Sequence, residues 1–79
     1  MHIRHDDAPI AGRRFKVEVN DYEGMARLTI FVGRSQLLRQ ESSDAIYADP
    51  WIPANAAGST LMIVAEGRAG RQTVSLEIG

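Results

Sequence analysis

The sequence predicts an all-β protein, a small sandwich or barrel of short antiparallel strands. Three observations carry that prediction. Several runs alternate apolar and polar residues with period two, the signature of strands with one buried face. Turn-forming Gly, Asn, Asp and Pro separate these runs at roughly ten-residue spacing, as in sandwiches and barrels. No segment shows a strong helical repeat.

Taken in order, Arg14-Phe15-Lys16-Val17-Glu18-Val19 places Phe15, Val17 and Val19 on one face. Asn20-Asp21-Tyr22-Glu23-Gly24 suits a hairpin loop, with Gly24 free to take positive φ. Met25 to Val32 turns Ala26, Leu28, Ile30 and Val32 to one side and Arg27 and Thr29 to the other. Shorter strands are expected around Gln36–Gln40 and Ala45–Tyr47, although residues 34–42 also fit two helical turns. Pro50 and Pro53 flank Trp51 and Ile52, which makes that stretch a crossing segment or an edge, since proline cannot donate to a ladder. Ser59–Ala65 alternates through Leu61, Ile63 and Ala65, and the closing run through Val74, Leu76 and Ile78. Gly67-Arg68-Ala69-Gly70 joins these two as a hairpin. Residues 13–79 thus form the domain, and residues 1–12 read as a polar N-terminal arm.

Size and composition narrow the function classes. The chain has 79 residues, room for one small domain. Area scaling for that length gives roughly 4,700 Å² of folded surface, with about 60% of the unfolded surface buried, so stability is marginal. There are no cysteines, which removes disulfide staples, a cysteine nucleophile and thiolate zinc sites. A net charge of −1 argues against a dedicated nucleic-acid binder, which normally carries a basic surplus. No apolar run approaches the ~20 residues that span a bilayer, so no membrane partner is expected. Met1-His2-Ile3-Arg4-His5-Asp6-Asp7 lacks a hydrophobic core of the kind a signal peptide carries. The chain reads as a gene product starting at its own Met and made without an export signal.

A family resemblance rests on the ordering from Lys16 to Ile78. A strand ends at a glycine in Leu28-Thr29-Ile30-Phe31-Val32-Gly33, and Trp51-Ile52-Pro53 follows. Gly58-Ser59-Thr60-Leu61 then opens a strand, and Ala65-Glu66-Gly67-Arg68-Ala69-Gly70 turns into the last one. This pattern, over about four-fifths of the chain, resembles the bacterial immunoglobulin-like domains found in surface proteins, secreted enzymes and phage virions. The family commonly has Asp where Glu66 stands, and the disulfide of antibody-type domains is absent. The resemblance implies an immunoglobulin-like β-sandwich of about six to seven antiparallel strands, structural or adhesive, with no catalytic residues to carry across.

The chemistry-bearing residues agree with a non-catalytic reading. His2-x-x-His5-Asp6-Asp7 would suit a metal only on a helix, and the segment is too short and polar to form one, so no metal or cofactor is expected. Nucleophilic catalysis needs a base beside a hydroxyl. The only histidines lie in the arm, Lys16 alternates outward, and the serines occupy loops or an outward face, so an enzyme is not expected. Asp44 with Asp49, and Asp21 with Glu23, lack the dense oxygens of a calcium loop. Arg13-Arg14-Lys16 reads as a charged outer strand face that discourages edge pairing. Gly67–Gly70 reads as a turn, since no helix follows it to form an anion site.

The apolar outliers matter more. Phe31, Met62 and Val64 fall on the parity opposite to the core residues of their strands. Either the inner and outer faces are the reverse of this assignment, or the strand is central and covered on both faces, or the three side chains form a patch for another subunit. Trp51 reads as a core plug between its prolines, with stacking of Trp51 or Tyr47 on a sugar as the alternative.

The expected function is a structural or binding module. The leading reading is a small phage virion protein, assembled in the host cytoplasm, that decorates or cements the capsid or tail through protein–protein contacts. His2, Ile3, Arg4 and His5 of the arm, with Phe31, Met62 and Val64, would touch neighbouring protein subunits in an oligomeric or particle-bound state. The alternatives are a small cytosolic phage inhibitor of a host defence complex and an excised glycan-binding module of a surface protein.

Overall fold

The computed structural model describes residues 1–79 and contains seven strands and no helix. In chain order these are β1 (His2–His5), β2 (Val17–Asn20), β3 (Ala26–Val32), β4 (Ser35–Ser42), β5 (Ile46–Ala48), β6 (Thr60–Gly67) and β7 (Gly70–Glu77). They form two antiparallel sheets, β1-β2-β5 and β4-β3-β6-β7, packed as a β-sandwich. The exposed surface of 4954 Å² is close to the area that scaling predicts.

The alternating residues meet between the sheets. Phe15, Val17, Val19, Ile46 and Ala48 come from one side, and Leu28, Ile30, Leu61, Ile63 and Ala65 from the other, all buried in one cluster. Ile52 and Ile78 close its end. At ~25 cal/mol per Å² of apolar burial this cluster is the main stabilising term.

Two expected local structures hold. The β6–β7 hairpin turns at Arg68-Ala69, and Gly70 takes φ +138°, which a side chain would resist. Residues 35–42 are a strand and not two helical turns. Their helix-like appearance comes from a bulge: the β3–β4 register shifts between Ile30 and Phe31, leaving Leu37 as the extra residue. Leu37 and Leu38 are consequently both half-buried against the core.

Two expectations are corrected. Residues 20–24 are not a hairpin loop, because β2 and β3 belong to different sheets. The segment is a corner crossing the sandwich, with Asp21 at φ 59° and Gly24 at φ 71°. Tyr22 pins the corner by donating its hydroxyl to the Ser42 carbonyl oxygen at 3.2 Å.

The second correction concerns residues 1–12, which do not form an arm outside the sandwich. His2–His5 is the edge strand of the three-stranded sheet, pairing His2↔Asn20 through His5↔Val17. Without β1, one edge of β2 would present unpaired N–H and C=O groups. The chain then crosses to the other sheet, where Gly79 N donates to Pro9 O at 2.9 Å and Ala11 N to Gly79 O at 2.8 Å.

Candidate functional site

The outer face of the three-stranded sheet holds the candidate site. Its backbone frame is a short ladder followed, in the same register, by an isolated bridge. The pairs Val19↔Ile46, Glu18↔Tyr47 and Val17↔Ala48 run on, through Phe15 N donating to Pro50 O at 3.0 Å, to the Arg14↔Trp51 bridge. Along this ladder Ile46, Ala48 and Ile52 turn into the core, so Tyr47, Asp49 and Trp51 turn outward. Facing them on the β2 side are Glu18, Lys16 and Arg14.

Tyr47 is 69% exposed and Trp51 60% exposed, the two most solvent-accessible aromatic side chains of the protein. Four residues of extended chain separate them, about 13 Å. The expectation that Trp51 plugs the core is therefore overturned: Ile52, 1% exposed, takes the buried position. The inward parity of Ile46, Ala48 and Ile52 is the sequence feature that identifies Trp51 as outward.

Charged groups frame the rings. The Arg14 guanidinium carbon lies 5.1 Å from the Trp51 ring centre, and Arg14 Nη1 is 3.4 Å from Asp49 Oδ2. Lys16 N donates to Asp6 Oδ2 at 2.9 Å, and Asn20 donates its side-chain amide to Glu18. Arg4 stands opposite Glu18 in the β1–β2 register. Together Arg4, Asp6, Lys16, Glu18, Tyr47 and Asp49 border an open concavity of about 480 Å³. Three cations (Arg4, Arg14, Lys16) face three carboxylates (Asp6, Glu18, Asp49), so the face is charged but locally balanced.

The residues expected to bind partners are distributed differently. On β1, His2 and Arg4 point outward, whereas Ile3 packs against the core and His5 is half-buried. His5 stacks on Phe15 with ring centres 5.9 Å apart, and its Nδ1 donates to the Asp6 carbonyl oxygen at 2.6 Å. The two imidazoles therefore lie on opposite faces of one strand. On the other sheet, Phe31 and Met62 are cross-strand neighbours on the outer face, and both are half-buried.

Val64 shares the parity of Met62 but is only 2% exposed, opposite Thr29 at 6%. It sits on a central strand between Thr29 of β3 and Thr73 of β7, which leaves it no surface to offer. Val64 is thus removed from the contact set. At the other end of the same four-stranded sheet, Glu41 accepts hydrogen bonds from Arg39 and Arg27, each at 3.1 Å. These guanidiniums, that of Arg39 first, hold its carboxyl below the ordinary carboxylate value.

Tyr47 and Trp51 enter the sequence reading only as an alternative, a stacking pair behind the expectation that Trp51 plugs the core. Both are exposed on the same outward parity of one segment, and they form the strongest candidate surface. No family model, curated protein or solved structure matches the chain.

Proposed function

We propose that this protein is a non-catalytic binding module whose recognition surface is the outer face of the three-stranded sheet. The observation that carries this is the pair Tyr47 and Trp51, both exposed on the same face of one chain segment, Tyr47 on the β2–β5 ladder and Trp51 on the bridge to Arg14 in the same register. Exposing two large aromatic side chains costs favourable burial, and a ligand that covers them recovers it. The non-catalytic part is supported by the histidines: His5 is stacked on Phe15, and His2 faces the solvent on the sheet edge.

The test pans the intact chain against a random peptide display library and a glycan array. Selected ligands are expected to lose binding to a Tyr47→Ala/Trp51→Ala double variant that keeps its far-UV spectrum. Ligands that bind the double variant as well as the parent would overturn the assignment.

A second reading concerns mounting on a larger protein assembly, and one observation favours it. Across the four-stranded sheet the row Gln36–Phe31–Met62–Ser75 carries no charge, whereas the row Glu41–Arg27–Glu66–Arg71 is charged throughout. We propose that the uncharged row meets a neighbouring protein subunit, as in an immunoglobulin-like module decorating a phage particle. Co-purification of the parent chain, but not Met62→Arg, with a high-mass particle would support this. Equal behaviour of the two chains would sink it.

A further inference from the structure

We propose that the recognition face binds a neutral saccharide chain, with Tyr47 and Trp51 as two stacking platforms and the charged residues around them as partners for the hydroxyls. This rests on the recognition-surface reading above and adds the class of ligand.

The first argument is what lies between the platforms. The ~13 Å between Tyr47 and Trp51 is not apolar: Asp49 stands midway on the same strand line, with Lys16 across from it. A purely apolar partner laid over both rings would strip water from these ions without replacing their hydrogen bonds, which is costly. The partner needs apolar patches for the rings and a dense polar rim for everything else. A pyranose has that composition, with a C–H face flanked by hydroxyls that donate and accept. Carboxylates accept such bonds, and Lys and Arg groups donate them.

The second argument is charge. Arg4, Arg14 and Lys16 balance Asp6, Glu18 and Asp49 within one face, so no net local field attracts a polyanion or a polycation. Nucleic acid and sulfated or uronic glycans are disfavoured, and an uncharged ligand is favoured. The third argument is shape. The open concavity of about 480 Å³ is bordered by Tyr47 and Asp49, and Trp51 stands exposed two residues beyond Asp49 on the same outward parity, so a chain seated in it can continue towards the second ring. Arg14 supports Trp51 from one side and holds its ring in place before a ligand arrives.

The test uses the full chain on an array of neutral and acidic glycans and of peptides. Binding is then measured through the fluorescence of Trp51, the only tryptophan. Expected is saturable binding to neutral oligosaccharides, weakened about tenfold or more by Tyr47→Ala and by Trp51→Ala, the latter followed by amide chemical shifts because it lacks the indole. Arg34→Ala, in the exposed turn between β3 and β4, should leave it unchanged. Unchanged thermal unfolding separates lost contact from lost fold. Absence of any neutral glycan whose binding depends on Tyr47 and Trp51 would overturn the proposal, as would a preference for acidic glycans. Peptide ligands alone, dependent on both rings, would refute the saccharide while leaving the recognition face standing.

Discussion

Arg14 contacts two outward residues of the neighbouring strand line at once: its guanidinium carbon is 5.1 Å from the Trp51 ring centre, and its Nη1 is 3.4 Å from Asp49 Oδ2. The arrangement orders an exposed ring at little cost, because exposed cation–π contacts contribute only ~0.5–1 kcal/mol and surface ion pairs about 0–1 kcal/mol. Arg14→Ala should therefore shift the unfolding midpoint only slightly while freeing the indole. Iodide quenching of Trp51 fluorescence should rise in the variant, and an unchanged quenching constant would refute a supporting role for Arg14.

The strand status of residues 2–5 has a direct test. Ile3 packs against the core, so Ile3→Asp should lower stability on the order of 1–3 kcal/mol by burying a polar group. Amide exchange at Val17 and Val19 should accelerate with it. A free arm would show neither change in urea unfolding.

Parity and burial part company at Val64. Ile63 faces the core, and Ile63→Ala should cost about 2–5 kcal/mol. Val64 lies on the other face yet is equally hidden, so Val64→Ala, which removes two methyl groups, should cost roughly 1.6 kcal/mol at ~0.8 per buried CH₂. Paired urea titrations check both. A neutral Val64→Ala would return that residue to the accessible set.

Glu41 sets a pH dependence. Its carboxyl titrates below the ordinary value of 4.5 because Arg39 and Arg27 favour the charged form. A depressed value in the folded state means that the contribution is present above pH 4.5 and lost as pH falls through the folded value. The group is exposed, so the effect should be small and weakened by salt. The Glu41 carboxyl carbon resonance should titrate below 4.5 at low salt and move back towards it at high salt. Glu41→Gln should flatten the acid limb of stability.

Legibility in the sequence followed the period-two pattern. Val17 and Val19, Ala26–Val32, Leu61–Ala65 and the closing hairpin could be read because strict alternation leaves one choice of face. His2–His5 could not, since a single isoleucine among polar residues gives no period. Nor could the corner at 20–24, because turn residues do not say whether the following strand returns to the same sheet. Leu37-Leu38 mimicked a helix because a bulge admits two adjacent inward leucines. Trp51 misled for another reason: its size suggests burial, whereas its place on the bridge opposite Arg14 settles its direction.

The hydrogen bonds linking Pro9 and Ala11 to Gly79 have a kinetic consequence. So does the bond from Gln72 Nε2 to Met1 O, across 71 positions. Each closes a loop spanning almost the whole chain, and such contacts form only after a large entropy loss, so topologies rich in them fold in about milliseconds to seconds. During synthesis β6 lacks one of its two neighbours until β7 has left the ribosome. The second edge of β6 meanwhile stays unpaired and open to wrong association. Slow refolding with a steep dependence on protein concentration is the expected behaviour of a chain whose two ends are fastened last.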